Sequence, residues 1–261
     1  MLLFSSSPTL GDGESNRVFK VATYNVHPGE NPTGYHGLRK AIVEDAGFTI
    51  EFIVVPARRM PYALETHYVD AISVSGLASE SRPRLKQGGF LQAQYPDRIV
   101  PVDIYYKENS QWQPNWPADF QFKNGVRGIS INYSYLHYQG FSMKQIPSYS
   151  SGTLMVNFGR ADYWIDTIPD ASRSFSAYKR TAAEGYKKEK LFDSPLFLLF
   201  VNNERGGQFK RIFDRGMANL IDDERRLRSI FVPDNNPRGL ASLDAFLAYM
   251  RSTYPELRHL P

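Results

Sequence analysis

Residues 68–82 read Tyr68-Val-Asp-Ala-Ile-Ser-Val-Ser-Gly-Leu-Ala-Ser-Glu-Ser-Arg82. Val69, Ala71, Ile72 and Val74 make an apolar run short enough for a buried strand. Small residues follow (Ser73, Ser75, Gly76, Ala78, Ser79, Ser81), and the stretch closes on the lone Arg82. A buried strand that feeds a hydroxyl-rich loop is how open α/β sheets build binding crevices at the carboxyl ends of their strands. Small side chains let a ligand approach the backbone, and serine hydroxyls both donate and accept hydrogen bonds. An arginine there offers a planar fork that matches a carboxylate through two parallel hydrogen bonds. Taken alone, the segment is equally a strand, a surface loop and a solvated arginine.

Its neighbours extend the pattern. Arg17 to Tyr24 reads as a first strand, followed by a Pro/Gly-rich loop over 25–33. Gly34 to Gly47 is an amphipathic helix with Leu38, Ala41, Ile42 and Ala46 on one face and Gly47 as its stop. Thr49 to Val55 is rich in β-formers. Residues 57–67 place Met60, Ala63, Leu64 and His67 at helical spacing, with Pro61 tolerable only near the first turn. The strand at 69–74 then closes a β-α-β-α-β block, which calls for a mainly parallel sheet.

This block resembles the solute-binding proteins that capture polar amino acids for ABC importers, extracellular solute-binding family 3. That family's signature runs Gly-x-Val-Asp-Ala-Ile, a Ser/Thr-rich loop, then Arg; the spacing from Asp70 to Arg82 matches without a gap. The helix start at Gly34 is similar too. The resemblance covers about Arg17 to Phe231 and is most specific over 34–82. It implies a two-lobed periplasmic-binding fold in which each lobe is a mainly parallel sheet flanked by helices.

The rest of the chain suits that plan. Tyr95 to Tyr106 reads as extended and leads to a polar stretch, 107–117. A second α/β block begins at Phe120–Gly125 with a strand over Val126–Ile131. Asn132-Tyr-Ser-Tyr135 stands where the family carries Gly-Ser/Thr at a helix N-terminus. Ser150 or Ser151 can cap a helix bearing Leu154 and Phe158 and stopped by Gly159. Asp162 to Asp166 reads as a strand, and Pro195–Val201 as a return strand. Helices follow, first with Phe209, Ile212, Phe213, Gly216, Met217 and Leu220 on one stripe, then over 222–231 and 241–252. Lobe 1 is therefore expected at 17–98 plus 197–261 and lobe 2 at 99–196, linked by the extended segments 95–106 and 194–201.

Composition limits the function. The 261 residues have ample material for cores, and 42% apolar with 14% aromatic content describes a globular chain. A formal charge of +4 comes without any Lys/Arg block, since basic residues alternate with acidic ones as in Asp222-Asp-Glu-Arg-Arg-Leu-Arg228. Nucleic acid is therefore not expected as a partner. The absence of cysteine removes disulfides, thiol nucleophiles and Cys-ligated zinc. No apolar run reaches membrane-spanning length. The start, Met-Leu-Leu-Phe-Ser-Ser-Ser-Pro, lacks a basic n-region and reads either as a signal-peptide remnant or as a disordered leader over 1–16.

Arg82 is the expected ligand anchor, with Ser75, Gly76 and Ser79 as donors around it. Arg59, after the second strand, resembles the arginine of a Trp-x-Arg pattern in some relatives, and is equally a helix-start surface charge. Tyr24 is a candidate aromatic wall. Ser134 stands at the family's second-lobe helix start. The family places an acid for the ligand amine five residues beyond the first Asp of its late strand; Asp166 lies four beyond Asp162, and one of the two is expected to be structural. Leu77 in place of Ser/Thr, Ala57 in place of an aromatic shelf and Tyr133 in place of a small residue depart from a zwitterionic amino-acid pocket. No nucleophile elbow, Walker loop or His-Glu-x-x-His is present, and His27 and His36 have no third ligand at a recognisable spacing. No enzyme, metal or cofactor is expected. The resemblance implies a periplasmic monomer that hands a small carboxylate-bearing solute to an ABC permease; a sensor or scaffold of the same fold, or a hydrolase built on it, are the alternatives.

Overall fold

A computed structural model describes residues 17–23, 34–56, 59–75, 89–109, 124–127, 143–145, 149–166, 185–232 and 237–255. The chain divides into two compact units. Unit 1 falls within Met1–Ile72, Phe90–Tyr95 and Leu198–Pro261, and unit 2 within Ser73–Gly89 and Pro96–Phe197. Among the described residues no helix is long and apolar enough to cross a membrane.

Unit 1 begins with β1 (Val18–Thr23), α1 (Gly34–Asp45), β2 (Thr49–Val54), α2 (Met60–Glu65) and the first two residues of β3 (Ala71–Ser75), which passes into unit 2 at Ser73. β1 pairs in parallel with β2 on one side (Val21 opposite Phe52) and with β3 on the other (Val21 opposite Ala71). The short β4 (Leu91–Gln92) pairs antiparallel with the end of β9 (Tyr186–Phe200). Three helices complete the unit: α4 (Glu204–Ile221), α5 (Glu224–Phe231) and α6 (Pro237–Thr253). The apolar stripe expected on α4 is its buried face, with Phe209, Phe213, Met217 and Leu220 inside. Phe209 stacks on Phe19 of β1 at 4.2 Å and meets Phe200 edge-on at 5.0 Å. Asn203 starts α4 by accepting the Gly206 N–H at 2.8 Å, and Asp223 starts α5 by accepting the Arg226 N–H at 2.9 Å. α6, which lies outside the family resemblance, buries Leu243, Phe246 and Met250, with Phe246 stacked on Phe231.

Gly47 stops α1 at φ +77, as its sequence position suggests. The end of α2 differs from expectation. The helix stops at Glu65, and His67 is an exposed residue in the left-handed region at φ 56. The Tyr68 N–H returns to the Ala63 carbonyl, so His67 holds a helix-stop position that glycine adopts without strain. His67→Gly is expected to raise stability by roughly 0.5–1 kcal/mol in urea titration.

Unit 2 holds β5 (Arg98–Lys107), β6 (Gly125–Arg127), β7 (Lys144–Gln145), α3 (Tyr149–Asn157), β8 (Tyr163–Asp166) and most of β9. Its strands run β9-β5-β8-β6-β7. β6 is parallel to β7 and β8, whereas β5 is antiparallel to β8 and β9, so this sheet is mixed. The return strand is far longer than its apolar portion. Residues 186–194 carry Lys187, Lys188, Glu189 and Lys190, yet they pair with β5 from Lys107 opposite Tyr186 onward. Backbone pairing overrides weak β-propensity there. One residue is extra on β9, because Val102 faces Phe192 and Asp103 faces Lys190.

α3 begins at Tyr149, so Ser150 and Ser151 lie within its first turn rather than capping it, and Leu154 and Phe158 are exposed. Its contact face is Gly152, where a Cβ would stand 2.5 Å from the Trp164 ring. Trp164 is 1% exposed and stacks on Tyr105 at 4.9 Å.

Three tyrosines in this unit resist ionisation. Burial pushes Tyr106 up to about 12, assisted by its hydrogen bond to Glu189. Burial also pushes Tyr186 up to about 12 and raises Tyr163, with Asp162 adding to the latter. A folded value above the unfolded value of about 10 means the stabilisation is complete below pH 10 and is lost as pH rises towards 12. Stability is expected to fall above pH 10 by roughly 1.4 kcal/mol per pH unit for each such tyrosine. Urea titrations across that range, read with the ultraviolet phenolate band, check this; a flat profile would refute it.

Candidate functional site

Because β1, β2 and β3 are parallel, their carboxyl ends lie at one edge of the sheet. The Val55 N–H bonds the Thr23 carbonyl at 2.8 Å, which levels the ends of β1 and β2. β1 ends at Thr23, β2 at Val54 and β3 at Ser75. Tyr24, Gly76, Ser79, Arg82 and Ser134 lie outside the described residues. Ser75 is the last residue of β3 and Asp166 the last of β8, a strand parallel to β6. Arg59 precedes α2 in a helical conformation, is exposed, makes no side-chain capping bond, and donates its N–H to the Pro56 carbonyl at 2.7 Å. Ser75 and Asp166 thus stand at carboxyl ends of strands with a parallel neighbour, and Arg59 five residues beyond the end of β2.

Several polar side chains near these positions are structural. Ser73 donates to Asp97 at 3.1 Å, and Asp97 is fully buried. Asp162 accepts the Asn124 N–H at 2.8 Å, tying the start of β8 to β6. Asp103, 1% exposed and opposite Asp166, takes Lys188 at 2.8 Å. Among the described residues no group of three His, Asp or Glu could hold a metal ion.

Asp70, the acid of the signature stretch, stands at the opposite end of β3. Its carboxylate accepts both guanidinium bonds of Arg205 at 2.8 and 3.1 Å, and the Lys20 N–H at 2.8 Å. Arg205 also donates to the Val18 carbonyl and lies 5.0 Å over the Phe19 ring. One carboxylate thereby joins β3, β1 and the first turn of α4. Reading the sequence misses Arg205, because nothing local links it to a residue 135 positions away.

No protein-family model matches this sequence, and no curated protein is a significant match. Solved structures do match, over most of both chains. A histidine kinase sensor domain with similarity to periplasmic binding proteins aligns at TM-score 0.60 and 18% identity, over 89% of this chain and 95% of that one. A substrate-binding protein of an ABC uptake transporter from Streptococcus pneumoniae, with bound histidine, aligns at TM-score 0.59 and 12% identity, over 86% and 96%. The arginine-bound form of the truncated arginine-binding protein of T. maritima aligns at TM-score 0.55 and 15% identity, over 79% and 98%. The chain has the two-lobed α/β fold of periplasmic binding proteins. Its structural likeness is to amino-acid-binding proteins and to a sensor domain of the same fold.

Proposed function

We propose that this protein binds a small carboxylate-bearing solute, an amino acid or related organic anion, between two lobes and delivers it to an ABC importer in the periplasm. The likeness over most of both chains to proteins crystallised with amino acids carries the reading. The residue pattern supports it, because in chain order Tyr24 follows β1, Arg59 follows β2 and the Gly76–Arg82 stretch follows β3. Arg82 anchors the carboxylate, Ser75, Gly76 and Ser79 supply donors, and Tyr24 forms a wall. Arg59, Ser134 and Asp166 complete the contacts. We take the lobes as 17–98 with 197–261, and 99–196; the unit limits at Tyr95/Pro96 and Phe197/Leu198 fall within the two segments read as crossings, whereas Ser73–Gly89 groups with unit 2. Solute binding then shifts an open–closed equilibrium, as differential affinity for the closed form requires.

The likeness to a kinase sensor domain favours a second reading, in which closure reports the solute to a signalling partner. A neighbouring permease gene points to transport and a neighbouring histidine kinase gene to sensing. Mass spectrometry of small molecules that co-purify with the protein identifies the solute, and small-angle scattering with it is expected to show a more compact particle. An unchanged radius at saturation would sink the closing-cleft reading.

A further inference from the structure

Unit 1 has an open groove of about 560 Å³ beside the contact between α1 and α4. The groove follows from Gly216, where a Cβ would stand 2.5 Å from Ile42 Cγ2. The helices meet closely at that point. Ile42 and Leu220, 1% and 3% exposed, floor the groove together with Phe48 and Ile212. Along α4 the wall is Gln208, Arg211, Arg215 and Asn219, spaced at helical repeats so that four hydrogen-bond donors share one stripe.

Arg211 and Arg215 are exposed, four residues apart, and neither has a carboxylate partner among the described residues. Two acids line the groove, Asp45 and Asp223, and both are engaged. Asp45 takes the Arg226 guanidinium at 2.5 Å, Asp223 caps α5, and Asp214 pairs with Lys210. Two like charges one turn apart repel, and a ligand that neutralises both relieves this.

We propose that the groove binds a small organic polyanion: two anionic groups one helical turn apart, each held by one arginine fork, on an apolar body that covers Ile212 and Ile42. Guanidinium forks fit phosphate and carboxylate alike. The volume lies within the range of small-molecule sites, roughly 300–1,000 Å³.

Calorimetric titration of the full chain at low ionic strength with ATP, citrate and hexaglutamate tests it. ATP or citrate is expected to bind at one site with a Kd well below about 1 mM. Binding of ATP alone assigns the phosphate class, and of citrate alone the carboxylate class. Arg211→Gln with Arg215→Gln is expected to weaken that binding about a hundredfold, about tenfold per lost arginine, with the melting midpoint unchanged because both side chains are exposed. Should the double variant melt early, Arg215→Gln alone is compared, with about a tenfold loss expected. Unchanged affinity in the variants, no binding of ATP or citrate, or binding of hexaglutamate alone overturns the proposal.

Discussion

Arg82→Ala is expected to abolish measurable solute binding while leaving the melting midpoint of the unliganded protein nearly unchanged. The expectation follows from the proposed carboxylate contact. Removing one member of a desolvated, hydrogen-bonded charge pair costs roughly 2–5 kcal/mol, which is about thirty- to several-thousand-fold in affinity. Arg82→Lys should recover only part of the loss, because an ammonium cannot reproduce two parallel N–H bonds. A purely structural Arg82 would behave oppositely, with a lowered midpoint and intact binding by the folded fraction. Calorimetry and melting curves on the same variant separate the two, and undiminished affinity would retire Arg82 as the anchor.

Asp70→Ala is expected to do the reverse, although Asp70 belongs to the same stretch of sequence. Its side chain is 13% exposed and that of Arg205 29%, so the pair is largely withdrawn from water. Without the carboxylate, the guanidinium loses two charge-assisted hydrogen bonds, and the Lys20 N–H loses its acceptor. The cost is about 3 kcal/mol, a fall of roughly 5–10 °C in the melting midpoint for a chain of this size. Solute affinity of the folded protein should be unchanged, because Asp70 stands at the amino end of β3 and the proposed contacts leave its carboxyl end. Asp70→Asn, which keeps an acceptor oxygen but no charge, should fall between. A wild-type melting curve for Asp70→Ala would contradict the structural role.

The two residues show how far the signature stretch could be read. Its composition marks a strand and a small-residue loop, and its spacing marks a family. Neither says that the acid works at one end of the strand and the arginine is proposed to work at the other. Asp162 teaches the same lesson. The sequence offers it and Asp166 as alternatives for a ligand amine, and only the hydrogen bond from the Asn124 N–H makes Asp162 a structural acceptor.

By itself the sequence determined what local periodicity encodes. Alternation and apolar runs mark β1 to β3, and a 3.6-residue stripe marks α1 and α4. Gly47 marks a helix stop, and β-α-β-α-β order calls for a parallel sheet. Each signal lies within a dozen residues. Tertiary structure alone decided the rest. The charged half of β9 is a strand because β5 supplies its hydrogen bonds, and Asp70 is a staple because α4 brings Arg205 to it. α3 turns Gly152 inward because Trp164 occupies the space beneath it, and Phe158, just past the helix end, is exposed. These outcomes depend on pairing across tens to more than a hundred residues, and no local propensity carries that information.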